Sequence, residues 1–354
     1  MPKKRTIAFA LFLPVQWGII QGLKTSPQFV EEYYSNGVYP YISMTERFLF
    51  GWLPFSFGDL LYTVLGILLI RWMWLRIKNK FKQPKRWITS SLATLSIIYF
   101  CFHLFWGFNY YRQPLHTILS LERDYTTEKL REYTTTLIQK ANALHLQLTQ
   151  NDSLKVVMPY SKHELRQLAI AAAKQNDDKI PLTYTQPSVK SSVYSIPLTY
   201  MGFNGYLNPL TNEAQVNYLM PSYKHPTTTS HEIGHQLGFA KENEANFIAC
   251  LNSMVHENEY FRYSGYTFAL RYCLAELYRR EPEDTEELID RVNYGIRLNY
   301  DEVRQFWLAY QNPMEPVFEA FYGQFLKVNN QPQGMQSYSY VVALLVNYGL
   351  EKFE

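Results

Sequence analysis

The chain has 354 residues, of which 47% are hydrophobic and 16% aromatic, and its formal net charge is +3. This length allows one large domain or two modest ones. The charge is too small for a nucleic-acid-binding surface, and the chain lacks a Gly-rich phosphate loop and an RNA-binding signature, so we expect no nucleic acid among its partners.

Three apolar segments lie in the first third of the chain, at residues 6–23, 60–75 and 87–108. The third is long enough to cross a bilayer, and the other two are at the short end of that range. The first segment is alternatively a signal peptide, and the second a buried core helix. Because no A-x-A-like cleavage site follows the first segment, a retained anchor is favoured. The sequence therefore predicts an α-helical membrane region with three spans in residues 1–108.

Basic residues predict the orientation of these spans. Three precede the first span (Lys3, Lys4 and Arg5), and six separate the second from the third (Arg76, Lys78, Lys80, Lys82, Lys85 and Arg86). The segment between the first and second spans carries more acids than bases. By the positive-inside rule, the N-terminus is cytoplasmic and residues 109–354 are extracytoplasmic. We therefore expect the lipid bilayer as a partner.

Residues after 108 have the pattern of a soluble domain that opens with two helices. The first is predicted at residues 127–150, where apolar residues recur on one helical face. These are Leu130, Leu137, Ala141 and Leu144. Ser161 and Glu164 form a capping box, which predicts a second helix ending at Lys174.

The middle of this domain has a pattern typical of strands. Residues 191–203 and 213–220 carry Val, Ile and Tyr interleaved with polar residues, and the segment between them is rich in turn residues. Further helices are predicted at 283–311, 316–328 and 337–353. The sequence thus predicts an α+β domain, mostly helical with a small sheet.

The stretch His231-Glu232-Ile233-Gly234-His235 carries the chemistry of this domain. On a helix, residues four apart lie on the same face, so both imidazoles can bind one metal ion. Pro226 suits the first turn of such a helix. Glu232 projects to the side, where it can take a proton from a metal-activated water. The pattern predicts a Zn²⁺ site with His231 and His235 as ligands and Glu232 as the catalytic general base. The alternative is that the motif occurs by chance and binds no metal.

A catalytic zinc ion usually has three protein ligands, and two acids compete to be the third. Gly238 can end the helix in a left-handed conformation. Without that turn, Glu242 would lie about 10 Å along the axis from His235. We favour Glu242, because Asn246 follows it by one turn and can hydrogen-bond a ligand histidine. Glu244 is the alternative, because it lies on an apolar stripe; either acid could instead stabilise the helix dipole.

These residues resemble the gluzincin branch of zinc metallopeptidases, whose third ligand is the Glu of a Glu-x-x-x-Asp pattern. Glu242-Asn243-Glu244-Ala245-Asn246 has that form with Asn in place of Asp, and the apolar pair Phe247-Ile248 follows. The spacing from His235 to Glu242 is shorter than in that branch. A metzincin assignment fails, since its third His would fall at Lys241.

A resemblance to another family covers more of the chain. The three spans, Gly205-Tyr206-Leu207-Asn208-Pro209-Leu210-Thr211-Asn212-Glu213-Ala214, and the stretch from His231 to Phe247 are similar to a bacterial membrane-protein family. That family is catalogued as a domain of unknown function (number thirty-eight-ten) and is grouped with the zincin peptidases. The resemblance implies a zincin-like domain at 109–354, anchored in the bacterial inner membrane and facing the periplasm.

The expected activity is zinc-dependent hydrolysis of a protein or peptide substrate. An extended substrate would add to the edge of the strand at 213–220. Conceivable oxyanion stabilisers are Tyr218, Tyr223, His256 and Tyr338. The alternative is a catalytically inactive metal-binding sensor or scaffold, in which His225 or Glu244 closes the site as a fourth ligand.

Overall fold

The computed structural model describes residues 2–175, 184–332, 334 and 340–353. The chain forms two compact units: Met1–Gln113 with Asn208–Glu213, and Pro114–Leu207 with Ala214–Glu354. The sequence division at residues 108 and 109 lies five residues before the observed boundary. It also did not anticipate that a short segment far along the chain belongs to the first unit.

The first unit is helical. Its α-helices are α1 (Lys4–Lys24), α2 (Pro27–Phe29), α3 (Tyr39–Phe50), α4 (Phe57–Lys78) and α5 (Pro84–Phe105), with a π-helix at Val30–Val38 and a 3₁₀-helix at Gly107–Tyr111. Three of them, α1, α4 and α5, are long and apolar enough to cross a membrane. The three predicted apolar helices are therefore confirmed, and they suggest a membrane anchor.

Polar side chains hold the first unit together outside these helices. Arg112 donates to both carboxylate oxygens of Glu31, at 2.8 and 2.6 Å. The carboxylate of Glu213 accepts from the backbone N–H groups of Phe57 and Gly58, at 3.1 and 2.5 Å. It thereby caps the first turn of α4, where backbone donors have no partner within the helix. Residues 208–213 thus complete the N-terminal end of an apolar helix.

The second unit is mostly helical with one small sheet. Its α-helices are α6 (Leu115–Ile118), α7 (Thr127–Thr149), α8 (Lys162–Gln175), α9 (Ser195–Tyr200), α10 (His225–Gln236), α11 (Glu242–Met254), α12 (Glu259–Arg280), α13 (Pro282–Asp290), α14 (Tyr294–Ala309), α15 (Glu315–Val328) and α16 (Val341–Tyr348). Short 3₁₀-helices lie at Ser222–Lys224 and Leu350–Phe353. Helix α11 packs against both α10 and α12. All of its residues except Asn243 are buried, so it is a central helix of this unit.

Most of the predicted helices are present. The four apolar residues of the α7 stripe are buried, and the capping box before α8 forms, with Ser161 N donating to Glu164 Oε2 at 2.7 Å. The predicted helix 283–311 is two helices, because Asn142 holds the chain between them. Its amide donates to Arg291 O at 2.7 Å and accepts from Asn293 N at 2.9 Å. Of the predicted helix 337–353, residues 337–339 lie outside the described part.

The sheet has the order β1 (Val189–Ser191), β3 (Glu213–Val216), β2 (Gly205–Asn208). Strand β1 runs parallel to β3, with Val189 opposite Ala214. Strand β3 lies within the predicted strand 213–220, but it is central, so the prediction that it offers a free edge is wrong.

The predicted strand 191–203 is also wrong. Its first residue ends β1, and α9 occupies Ser195–Tyr200. Ser192 Oγ accepts from Tyr194 N at 3.0 Å, and Ser195 Oγ donates to Ser192 O at 2.7 Å. These local bonds begin a helical turn where residue type alone favours a strand. Strand β2 lies where the sequence indicated turns.

A buried acid in α3 makes the stability of the first unit depend on pH. Burial raises the pKa of Glu46 to about 8 from an ordinary value of 4.5, although the charge of Arg47 opposes that rise. The folded chain keeps a proton that the unfolded chain releases above about pH 4.5, so stability falls as the pH rises through this window. We expect full-length protein in detergent to lose roughly a few kcal/mol between pH 5 and pH 8.

Glu46→Gln should remove most of that loss, as measured by thermal unfolding at both pH values. The matched control is Glu32→Gln, at an exposed position nearby. An equal loss in wild type and Glu46→Gln would show that Glu46 is not the group responsible.

Candidate metal centre

Helix α10 presents two histidines on one face, as predicted. Pro226 lies in its first turn, and the rings of His231 and His235 have centroids 4.7 Å apart. The helix ends at Gln236, and Gly238 follows with φ +86°. This left-handed conformation favours glycine and turns the chain away from the helix axis.

The turn brings an acid back to the histidines. Helix α11 begins at Glu242, whose Oε2 lies 3.2 Å from His231 Nε2 and 3.7 Å from His235 Nε2. The ligand atoms of the three side chains all lie within 4.8 Å of one another. Atoms bound at about 2.1 Å to one tetrahedral Zn²⁺ ion lie about 3.4 Å apart, so this group fits such an ion.

The competing acid points elsewhere. Glu244 is only 2% exposed, but its Oε1 accepts from Leu115 N at 2.9 Å and lies 3.4 Å from Lys241 Nζ. Its Oε1 therefore has a backbone donor on α6 and a neighbouring cation, while its Oε2 has no hydrogen-bond partner among the described residues.

Both histidines are oriented through their second nitrogen. His231 Nδ1 lies 2.8 Å from Asn246 Oδ1, the hydrogen bond expected from the spacing of Glu242 and Asn246. His235 Nδ1 lies 2.8 Å from the carbonyl oxygen of Phe239. Because a carbonyl only accepts, Nδ1 of His235 carries a hydrogen, and Nε2 is the atom that can bind a metal ion once it has lost its proton.

A tyrosine that sequence reasoning did not find also holds the centre. Tyr322, on α15, donates to Glu242 Oε1 at 2.8 Å. Its ring meets Phe203 edge to face at 4.9 Å. Tyr322 lies 80 residues from Glu242 in a chain with 29 tyrosines, so no spacing pointed to it.

Glu232 is buried beside this group. A Cβ on Gly205 would lie 2.7 Å from Glu232 Oε1 and 2.5 Å from Gln215 O, so only glycine lets β2 pass the carboxylate at this distance. Glu232 Oε2 has no hydrogen-bond partner among the described residues. Burial raises the pKa of Glu232 to about 7, while His231 and His235 oppose the rise. A carboxyl group of this pKa can both accept and release a proton near neutrality.

The charges of the metal-free group favour a cation. Burial acts against ionisation of Glu242, yet hydrogen bonds from His231 and His235 hold its pKa below the ordinary value. Burial likewise acts against protonation of His235, but Glu242 raises the pKa of His235 to about 9. The ionised carboxylate therefore stabilises positive charge between the three side chains, and a metal ion can take the place of the proton.

Two of the four candidate oxyanion stabilisers, Tyr223 and His256, make contacts outside the metal-binding group. Tyr223 lies 6.4 Å from the ring of Tyr263, and His256 Nδ1 accepts from Asn258 N at 2.9 Å. The side chain of Tyr218 is exposed, and Tyr338 lies outside the described residues.

The pair Glu242→Ala and Glu244→Ala tests which acid binds metal. Glu242→Ala should lose most of the metal content, because it removes one of three ligands. Glu244→Ala should keep the metal and lose about 1–3 kcal/mol of stability, because the N–H of Leu115 loses its partner. Metal analysis and thermal unfolding of the full-length variants measure both effects. The reverse order of metal loss would assign the ligand to Glu244.

Tyr322→Phe should weaken metal affinity about 10- to 100-fold without unfolding the chain, because the ring stays and only the donor to Glu242 is lost. Competition with a chelator of known affinity measures the change. Tyr310→Phe, on a tyrosine outside the group, is the control. Unchanged affinity in Tyr322→Phe would show that this hydrogen bond does not support the centre.

Comparison with known proteins identifies the family. Residues 34–346 match the model of the family described as "Protein of unknown function (DUF3810)". No curated protein and no solved structure matches the chain significantly. Because the family model covers most of the chain, the protein belongs to the DUF3810 family.

Proposed function

We propose that this protein is a membrane-anchored zinc metallopeptidase with a zincin-like second unit. The observation that carries the proposal is the buried carboxylate of Glu232 beside a possible metal-binding group of two histidines and Glu242, the composition that such enzymes use. Three protein ligands leave a position for water. His231 is 13% exposed, so this position can be reached from solvent.

Each residue then has a defined role. His231, His235 and Glu242 would hold the ion, with Asn246, Phe239 and Tyr322 fixing their orientation. When bound, zinc polarises a carbonyl and makes a water molecule more acidic. Glu232 would accept a proton from the attacking water and pass it to the leaving amine.

The sheet supports an extended peptide as substrate. Strand β2 is an edge of the three-stranded sheet, and its first residue, Gly205, lies against Glu232. A peptide that adds a strand at such an edge satisfies its backbone hydrogen bonds there. We therefore replace β3 with β2 as the candidate substrate edge.

The membrane region supports an extracytoplasmic location for this activity. The basic residues before α1 and between α4 and α5 favour a cytoplasmic N-terminus. With three spans, the second unit is then extracytoplasmic, on the periplasmic side of a bacterial inner membrane.

The inactive sensor or scaffold remains the competing function, and it needs a fourth ligand to close the site. Glu244 is engaged by Leu115 and Lys241. Among the described residues, the group that can hold a metal contains His231, His235 and Glu242, and neither Glu244 nor His225 joins it. This favours an open, catalytic site.

Glu232→Gln separates catalysis from metal binding. The variant should keep about one zinc per chain and lose at least about 100-fold in cleavage, because it cannot accept the proton. The assay is mass spectrometry of a mixed peptide library after incubation with full-length protein. His235→Ala is the matched control and should lose both metal and cleavage. Cleavage by Glu232→Gln at the wild-type rate would contradict the proposed role of Glu232.

A further inference from the structure

A cavity of about 240 Å³ lies in the second unit, next to the start of α10. Its lining comes from the segment before α10 and from α10 itself, from α12 and from α14. The charged and polar lining residues used below are Lys224, Ser264, Arg271 and Arg304, and the aromatic ones are Phe268 and Trp307. Drug-sized ligands occupy about 300–1,000 Å³, so this cavity suits one side chain or one chain end.

The cavity adjoins the metal centre by two routes. Thr227, in its wall, precedes His231 by one turn of α10, which corresponds to about 6 Å along the axis. Arg271 stacks on the ring of Tyr272 at 4.7 Å. The hydroxyl of Tyr272 lies 3.3 Å from the amide nitrogen of Asn246, which hydrogen-bonds His231. A group bound in the cavity would therefore lie close enough to the metal position for both to contact one short peptide.

The cavity is cationic. Three of its lining residues are basic and none is acidic. Arg304 pairs with Asp301 at 2.6 Å, and the acid nearby in sequence, Glu302, pairs with Lys155 at 3.0 Å. In the part of the chain that the structure describes, no carboxylate pairs with Lys224 or Arg271. Burial, and then the charge of Arg271, lower the pKa of Lys224 to about 7. Lys224 and Arg271 are thus close enough for their charges to interact, and neither has a carboxylate partner among the described residues.

A neutral donor in the same wall is also unused. Ser264 is 2% exposed, and its Oγ has no hydrogen-bond partner among the described residues. A buried hydroxyl without a partner destabilises the folded protein, and a hydrogen bond to a ligand oxygen would offset that cost. Phe268 and Trp307 offer apolar surface for the carbon atoms of such a ligand.

We propose that this cavity binds a carboxylate of the peptide substrate, held by Arg271, Lys224 and Ser264. The inference rests on the proposed peptidase function and adds a substrate class to it: peptides with an acidic side chain or a free C-terminus near the scissile bond. Arg271 gives a planar pair of donors that matches a carboxylate.

Three pentapeptides, each capped at its N-terminus, test the proposal. One has a central Glu and an amidated end, the second a central Gln and an amidated end, and the third a central Gln and a free carboxyl end. Their binding to the full-length Glu232→Gln variant is measured by calorimetry. One of the two carboxylate peptides should bind at least about 10-fold more tightly than the neutral one. Preference for the first assigns the cavity to an acidic side chain, and preference for the third assigns it to the chain end.

Arg271→Gln, introduced beside Glu232→Gln, should abolish this preference. Arg262→Gln is the matched control, since Arg262 is on the same helix but does not line the cavity. Lys224→Met is a second variant with the same expected loss. Equal binding of all three peptides, or an undiminished preference in Arg271→Gln and Lys224→Met, would overturn the proposal.

Cleavage of the same peptides by wild-type protein separates the two claims. A carboxylate preference in binding without any cleavage would support the cavity and count against the peptidase function. Cleavage of all three at equal rates, with equal binding, would support the peptidase function and count against the cavity.

Discussion

The second unit depends on one electrostatic arrangement: a buried carboxylate, Glu242, held against two imidazoles. An isolated charge inside a protein is costly, and it is tolerated where partners compensate it. Here the partners come from α10, and the left-handed turn at Gly238 brings the two helices together. Because α11 is buried along almost its whole length, the same turn that delivers Glu242 also places a central helix. The geometry of the centre and the packing of the unit therefore have one common cause.

Sequence reasoning could predict those parts of the centre that are local. The spacing of His231 and His235 and the hydrogen bond of Asn246 follow from helix periodicity, and the turn follows from the glycine at 238, all within 16 residues. The choice between Glu242 and Glu244 was not local. Leu115, which engages Glu244, is 129 residues away, and Tyr322, which engages Glu242, is 80 residues away. Such contacts exist only after the chain has folded, and periodicity carries no information about them.

The same distinction between local and long-range contacts explains which parts of the fold could be predicted from the sequence. Long apolar helices were predicted because hydropathy over about 20 residues is a strong local signal. The sequence predicts no element between the first and second spans, because polar residues there have distant partners: Arg47 donates to Asn212, 165 residues later. In the sheet, short strands were misplaced because serine side chains at 192 and 195 favour a helical turn over a strand. A strand of three or four residues offers too little pattern to outweigh such bonds.

The position of residues 208–213 in the first unit limits how this protein can be divided. A fragment that begins at residue 109 keeps both flanking strands, β2 and β3, but lacks the helix whose end Glu213 caps. Glu213 is fully buried, and its carboxylate would lose the backbone donors of Phe57 and Gly58. Thr211 Oγ1 would still donate to this carboxylate at 3.0 Å, so the loop between β2 and β3 loses part of the hydrogen bonding of Glu213 and not all of it. A chain cut at residue 109 therefore lacks two backbone donors that stabilise this loop in the intact protein, so biochemical work on this family is best done with the whole chain in a lipid or detergent environment.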